Sequence, residues 1–197
     1  MNNLHLFELI NAAPGLGEVP LGIAAVIANW LIYLIPLGMV TAWLQGAQSA
    51  RRELLQMLLA VLIALFIAQA VVHLWPRPRP FVLHIGTQYL DHGNDPGLPS
   101  DHVTVFWSLA FAAFGTSRFA VWGLPLLAAG LAVGWSRVFL GVHFPYDVLA
   151  AFPVGIAGAA AAHALRKPVR PAFASMLNLY HEVEKRVAQW LARFLKA

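Results

Sequence analysis

The sequence predicts an all-α protein, a polytopic bundle of about five membrane-spanning helices with a short interfacial helix before them and an amphipathic interfacial helix after them. Three observations lead there. The chain is 59% hydrophobic and 11% charged, whereas soluble domains carry roughly 25% charged residues. Uncharged stretches of bilayer length recur along it. Polar segments rich in Pro and Gly fall between those stretches. The whole chain, 1–197, reads as a single integral membrane domain.

From the amino end, Asn2–Gly17 is short and mixed. Leu4, Phe7 and Ile10 share a face with Glu8 at its edge. A short interfacial helix and a frayed terminus are both open there. Met1–Glu18 lacks a basic start, so no cleavable signal peptide is expected. Pro20–Leu44 carries no charge and makes the first span, followed by polar Gln45–Arg52. Glu53–Trp75 is the second span, and Pro76–Pro99 is a polar loop. Ser100–Gly115 is a third, short helix, and Arg118 interrupts. Phe119–Phe139 and Tyr146–Leu165 make the fourth and fifth spans. In Ala172–Lys196, Met176, Tyr180, Val183, Val187, Trp190 and Phe194 recur at three- and four-residue steps among Glu182, Lys185, Arg186 and Arg193. Such an amphipathic helix suits a membrane-lipid surface. Packing against a partner, including a second copy of the chain in a homodimer, is the other reading.

The net charge is +4, and its placement says more than its sum. Alternating spans put Arg51, Arg52, Arg118, Arg166, Lys167, Arg170 and the basic tail through Lys196 on one side. Only three of the thirteen Lys and Arg residues, Arg77, Arg79 and Arg137, fall on the other. The positive-inside rule makes the richer side cytoplasmic. The loops after the second and fourth spans, and the amino terminus, then face outward. A nucleic-acid partner is not expected. The absence of cysteine excludes disulfides and thiolate chemistry.

Polar chemistry concentrates in Leu98–Asp147, which opens with LPSDHV and closes with SRVFLGVHFPYD, and in the WPRPRPF stretch before it. Ionisable groups are expensive in a membrane protein and mark function there. Ser100 stands at an N-cap position, where helix N–H groups and the dipole favour an anion. Arg79, Arg137 and Arg77 offer planar, permanently charged forks for phosphate oxygens. His143 and Asp147 are four apart and share a face if helical. A carboxylate on one imidazole nitrogen fixes the tautomer and leaves the other nitrogen to attack phosphorus. His102 can move a proton to a leaving oxygen. These residues alone leave open which histidine attacks. Asp91, His92 and Asp95, with His84 nearby, match no ligand spacing, so the expectation is a solvated loop and no metal.

LPSDHV resembles the second signature, usually PSGH, of the type 2 phosphatidic acid phosphatase superfamily. SRVFLGVHFPYD matches its third, SR, five residues, H, three residues, D. RPRP resembles the end of its first, Lys, six residues, RP. The likeness spans about Val71–Pro153. The first signature is incomplete, because the Lys position counted back from Arg79 is Val72 and from Arg77 is Ala70. His73 and Arg77 are the nearby substitutes. The resemblance implies His143 as a nucleophile that forms a phosphohistidine, Asp147 as its orienting carboxylate and His102 as acid and base. It implies phosphate binding by Arg79, Arg137, Arg77, Ser100, Ser136 and the N–H of Asp101, with no cofactor. Asp101 replaces the usual Gly, so its carboxylate is expected to point away from the phosphate. A PSDH form resembles lipid pyrophosphate phosphatases.

The resemblance therefore implies a polyprenyl pyrophosphate substrate, with hydrolysis of undecaprenyl pyrophosphate to undecaprenyl phosphate on the outer face of a bacterial inner membrane. A phosphatidate or phosphatidylglycerophosphate phosphatase and a lipid phosphotransferase would use the same residues. A transporter or scaffold is the non-enzyme alternative. Transporters place charges near the bilayer midplane, whereas here they gather at one face.

Overall fold

The computed structural model describes residues 2–195, and among them every regular element is helical. Helix α1 (Asn3–Ile10) begins where the Asn2 side chain accepts the His5 N–H at 2.8 Å, satisfying a donor that a helix start leaves open. The first span forms as two helices, α2 (Glu18–Trp30) and α3 (Leu34–Gln45), joined by a 3₁₀ turn at Leu31–Tyr33. Pro36 accounts for the joint. It has no N–H for the carbonyl four residues back, a loss best tolerated in a first turn. Helix α4 (Gln48–Leu74) starts after only Gly46 and Ala47. Most of the polar stretch that reads as a loop at Gln45–Arg52 is therefore the opening of α4.

Helices α5 (Asp101–Phe114), α6 (Gly123–Phe139), α7 (Pro145–Leu165) and α8 (Arg170–Phe194) complete the chain. Periodicity starts the tail helix at Ala172; the structure starts it at Arg170, and Lys196 lies outside the described residues. Four helical stretches among the described residues are long and apolar enough to cross a membrane: Glu18–Gln45, Gln48–Leu74, Ala120–Phe139 and Pro145–Leu165. The third expected span, α5, has 14 residues and rises only about 21 Å, short of an apolar layer roughly 30 Å thick.

What α5 lacks in length decides where the site lies. Its carboxyl end is pinned beside the start of α4. Glu53 accepts the Ser117 hydroxyl at 2.7 Å and the Arg118 N–H at 3.1 Å, and Ser49 accepts Arg118 Nη2 at 2.8 Å. Its amino end stops level with Gln69, whose Nε2 lies 3.5 Å from the Asp101 carboxylate, while α4 continues to Leu74. Helix α5 thus begins inside the bundle, below its rim. Its Val103, Phe106, Trp107, Leu109, Ala110 and Ala113 are buried among α4, α6 and α7.

Small residues let these helices approach. Ala60, Ala64 and Ala68 form a row on α4 that is buried. A Cβ on Gly158 of α7 would sit 2.6 Å from the Ala64 Cβ and 2.7 Å from the Ala60 carbonyl oxygen. By contrast α3 buries no residue, and an apolar groove of about 590 Å³ lies between it and α4, α5 and α6.

Both end helices dock on the bundle. Phe7 of α1 is fully buried, with its ring 5.3 Å from that of Phe144, so the amino end is neither frayed nor laid only on lipid. Helix α8 closes over Arg51, whose guanidinium sits 4.5 Å from the Tyr180 ring centre and 3.8 Å from the Glu184 carboxylate. Arg51 also donates to the Trp43 carbonyl at 2.9 Å. Past Glu184, Val187, Trp190 and Phe194 remain exposed. The first half of the tail thus packs on the chain's own bundle, a contact that neither expected reading gave it, and the second half leaves its large apolar side chains uncovered.

Gly158→Val is expected to separate α4 from α7 and destabilise the fold by about 1–3 kcal/mol, the usual cost of overpacking. Gly22→Ala, whose Cβ meets nothing within 4 Å, serves as the control. Thermal unfolding in detergent checks the pair; equal melting temperatures would refute the close packing.

Candidate active site

The loops flanking α4–α5 and α6–α7 meet on one buried cation. Arg79 is 4% exposed and cannot lose its charge, so every N–H needs an acceptor. Its Nε donates to the Asp95 carbonyl at 2.8 Å. Its Nη2 donates to the Asp95 carboxylate at 2.7 Å and the Pro96 carbonyl at 3.4 Å. Its Nη1 donates to the Val142 carbonyl at 3.0 Å and lies 3.0 Å from His143 Nε2.

That last contact, the shorter of two from Nη1 to the ring, is the basis on which the tautomer is assigned. Arginine only donates, so Nε2 of His143 must accept, and the ring proton belongs on Nδ1. Nδ1 faces Asp147 Oδ2 at 3.4 Å; Nη1 of Arg79 lies 3.4 Å from it as well. Asp147 Oδ2 also accepts the Phe144 N–H at 2.9 Å, the reach-back of a capping residue in the first turn of α7, with Pro145 just ahead of it. One carboxylate oxygen thus starts the helix and orients the histidine. Gly141 makes the preceding turn with φ +81°, where an added Cβ would collide with the Thr87 carbonyl. His143 is 2% exposed. Burial first, then the charges of Arg137 and Arg79, hold its pKa well below the usual imidazole value, so the ring is neutral at pH 7.

The remaining residues divide. Ser100 precedes α5 but makes no side-chain cap; its N–H donates to the Asp147 carbonyl at 3.0 Å. Four buried side-chain atoms among the described residues lack a partner: Ser100 Oγ, Thr104 Oγ1, Arg137 Nε and Asp147 Oδ1. Unsatisfied buried polar atoms are rare in native proteins. Arg137 is 2% exposed and gives only a 3.3 Å bond to the Ala28 carbonyl. His102 is half-buried at the opening of α5. The Asp101 carboxylate lies toward Gln69, as its replacement of Gly suggests. Ser136 gives its proton to the Val133 carbonyl at 2.8 Å, within its own helix. Arg77 is half-buried, and its carbonyl accepts the Gly97 N–H at 2.9 Å. His73 is exposed and bonded to the Gln69 carbonyl at 2.7 Å.

The sequence and the fold both have matches among known proteins. Residues 53–170 match the PAP2 superfamily. The chain belongs to that superfamily. It is 39% identical over 157 residues to YbjG of Escherichia coli (strain K12), whose naming as an undecaprenyl-diphosphatase is provisional; the match covers 79% of this chain and 78% of that one. It is 30% identical over 154 residues to the undecaprenyl-diphosphatase BcrC of Bacillus subtilis (strain 168), covering 78% and 79%. The crystal structure of Aquifex aeolicus LpxE superposes with a TM-score of 0.61 at 20% identity, over 82% of this chain and 94% of that one.

Within this PAP2 fold, sequence reasoning missed four residues. Asp95 reads as part of a solvated loop, yet it holds Arg79. Burial alone would raise its pKa, but the hydrogen bond and charge of Arg79 lower it overall. His92 stands 3.4 Å from the other Asp95 oxygen, and among the described residues no three His, Asp or Glu gather as metal ligands. Gly97 packs where an added Cβ would sit 3.0 Å from Asp147 Oδ2 and 3.2 Å from Arg79 Cγ. Thr104 carries one of the unpartnered hydroxyls. Asn11 ties the α4–α5 loop to the end of α6, giving Nδ2 to the Thr87 and Phe139 carbonyls and accepting the Thr87 N–H. Only Gly97, in a PGLP run beside the second signature, left any sequence signal.

Gly97→Ala is expected to lower kcat at least about tenfold, since small displacements of positioned groups cost that much or more. Phosphate release from a lipid phosphate, with melting temperature as the folding control, checks it. Wild-type turnover would show that the site tolerates the extra methyl group.

Proposed function

We propose that this chain is an undecaprenyl-diphosphate phosphatase of the bacterial inner membrane, working through a phosphohistidine on His143 with its site open to the outer face. One observation carries the reading: of four buried, unpartnered side-chain atoms, three belong to the signature residues Ser100, Arg137 and Asp147. Donors and acceptors left open around a neutral imidazole suit a phosphoryl group that brings its own oxygens. The relatives' names supply the substrate.

The terminal phosphate enters between Arg137 and the amino end of α5. Burial, then the charge of Arg137, hold the His102 pKa down to about 3, so His102 takes up a proton with the incoming anionic phosphate. Nε2 of His143 attacks phosphorus, and the bond to the bridging oxygen breaks as His102 gives that oxygen the proton. Asp147 holds the Nδ1–H and the positive charge the ring gains. His102 then takes a proton from water, whose oxygen attacks phosphorus. The N–P bond breaks, returning neutral His143 and free phosphate. The groove beside α3 suits the apolar isoprenoid tail. On the outer face, this hydrolysis would return carrier lipid for peptidoglycan precursor export and reduce the pyrophosphate form that bacitracin targets. A single domain covering the chain fits this reading.

The deciding assay offers the purified protein a panel of lipid mono- and diphosphates with EDTA present. Phosphate release is expected fastest from undecaprenyl pyrophosphate, and His143→Ala is expected to abolish it, by several orders of magnitude. Near-wild-type release by that variant would remove His143 as nucleophile. Preference for phosphatidate or phosphatidylglycerophosphate would move the substrate.

Orientation has its own test in a chain without cysteine. Cysteine at exposed Gln88 is expected to react with a membrane-impermeant thiol reagent in intact spheroplasts. Cysteine at exposed Ser49 is expected to react only once the membrane is opened. The reverse pattern would put the site in the cytoplasm and end the outer-face role.

A further inference from the structure

The five N–H bonds of Arg79 are all taken by the protein. Three lie on Asp95 and Pro96, one on the Val142 carbonyl and one on His143 Nε2. Arg137 is the opposite case, with a buried Nε that has no partner and a single long bond from Nη1. Two arginines of the same signature set are thus in different states. Arg137 is ready to receive phosphate oxygens. Arg79 reaches a phosphate only by releasing a protein acceptor.

The acceptor to release is His143 Nε2. Its lone pair must be uncovered before it attacks phosphorus, so the Nη1–H now on it is the one to pass to a phosphoryl oxygen. The other four bonds then keep the guanidinium in place through the exchange. Among them the Asp95 contact is the shortest and the only ionic one. We propose that Asp95 is a positioning residue for phosphoryl transfer, acting through Arg79: its carboxylate holds the guanidinium edge so that Nη1 covers His143 Nε2 at rest and meets the phosphoryl oxygen in turnover. This rests on the reading of His143 as nucleophile.

Asp95 acts at a distance from the reacting atoms, and its own geometry argues against a mainly structural role. Its side chain is 57% exposed, and exposed ion pairs contribute little to folding. It sits on the loop between α4 and α5, outside every helix. Removing it leaves the Asp95 and Pro96 carbonyls, Val142 and the bundle intact, but lets the guanidinium rotate.

The test compares Asp95→Ala and Asp95→Asn with wild type in lipid phosphate hydrolysis. Asp95→Ala is expected to lower kcat about 10- to 100-fold, the scale of misplacing a positioned group, with KM within about threefold. Asp95→Asn keeps an oxygen that accepts from Nη2 and is expected to recover most of kcat. A second readout needs no turnover: ¹⁵N spectra of histidine-labelled protein, with His143 assigned by loss of its signal in His143→Ala. Wild type is expected to show Nδ1 protonated and Nε2 bare, and Asp95→Ala a mixture of tautomers. Wild-type kcat in Asp95→Ala, an Asn variant no better than Ala, or an unchanged tautomer would each overturn the proposal. If wild type hydrolyses no lipid phosphate, the functional reading fails, and the tautomer comparison still decides the role of Asp95.

Discussion

A permanently charged side chain, buried between two loops, sets the geometry of the end of this protein that carries the site. Arg79 has no deprotonated state to retreat to, and a buried guanidinium without acceptors is costly. The α4–α5 loop supplies three acceptors and the turn before α7 supplies two. Segments some sixty residues apart in sequence are thereby drawn together on one charge. His143 becomes buried, neutral and oriented in the same arrangement.

The bundle beneath makes room for that convergence. Because α5 is shorter than its neighbours, its amino end opens inside the protein, where Ser100 and His102 can share a recess with His143 and Arg137. The small-residue row of α4 and the glycines of α7 bring the surrounding helices close enough to bury α5 on most sides. The lightly packed α3 leaves an apolar groove open along the bundle. Rigid wall and open groove follow from the same difference in side-chain size.

The two ends of the chain brace opposite faces. At the end that carries the site, Asn11 joins Thr87 to the end of α6, and Phe7 packs on Phe144, next to His143. At the other, Arg51 anchors α8 through Tyr180, Glu184 and the Trp43 carbonyl. Neither brace touches the site's reacting groups, yet the first fixes the turn that carries them.

By itself the sequence determined the class and the chemistry. Long uncharged stretches must be helices in lipid, where backbone groups have no water to bond. The spaced SR, His and Asp, the PSDH run and RPRP marked the candidate residues because polar groups among so many apolar ones stand out. Their local relation was legible only as a spacing of four: α7 begins at Pro145 after an extended Phe144, so His143 lies before the helix that a shared helical face requires. The tertiary structure decided which groups are engaged and which are open. No periodicity tells that Asp95, sixteen residues from Arg79, holds it, or that Ser136 bonds to its own helix while the Nε of Arg137 stays unpartnered. Asn11 and Phe7 sit in a stretch whose sequence fits a frayed end as well as a brace. Such pairings join residues far apart along the chain, and a one-dimensional pattern carries only neighbours within a turn or a strand.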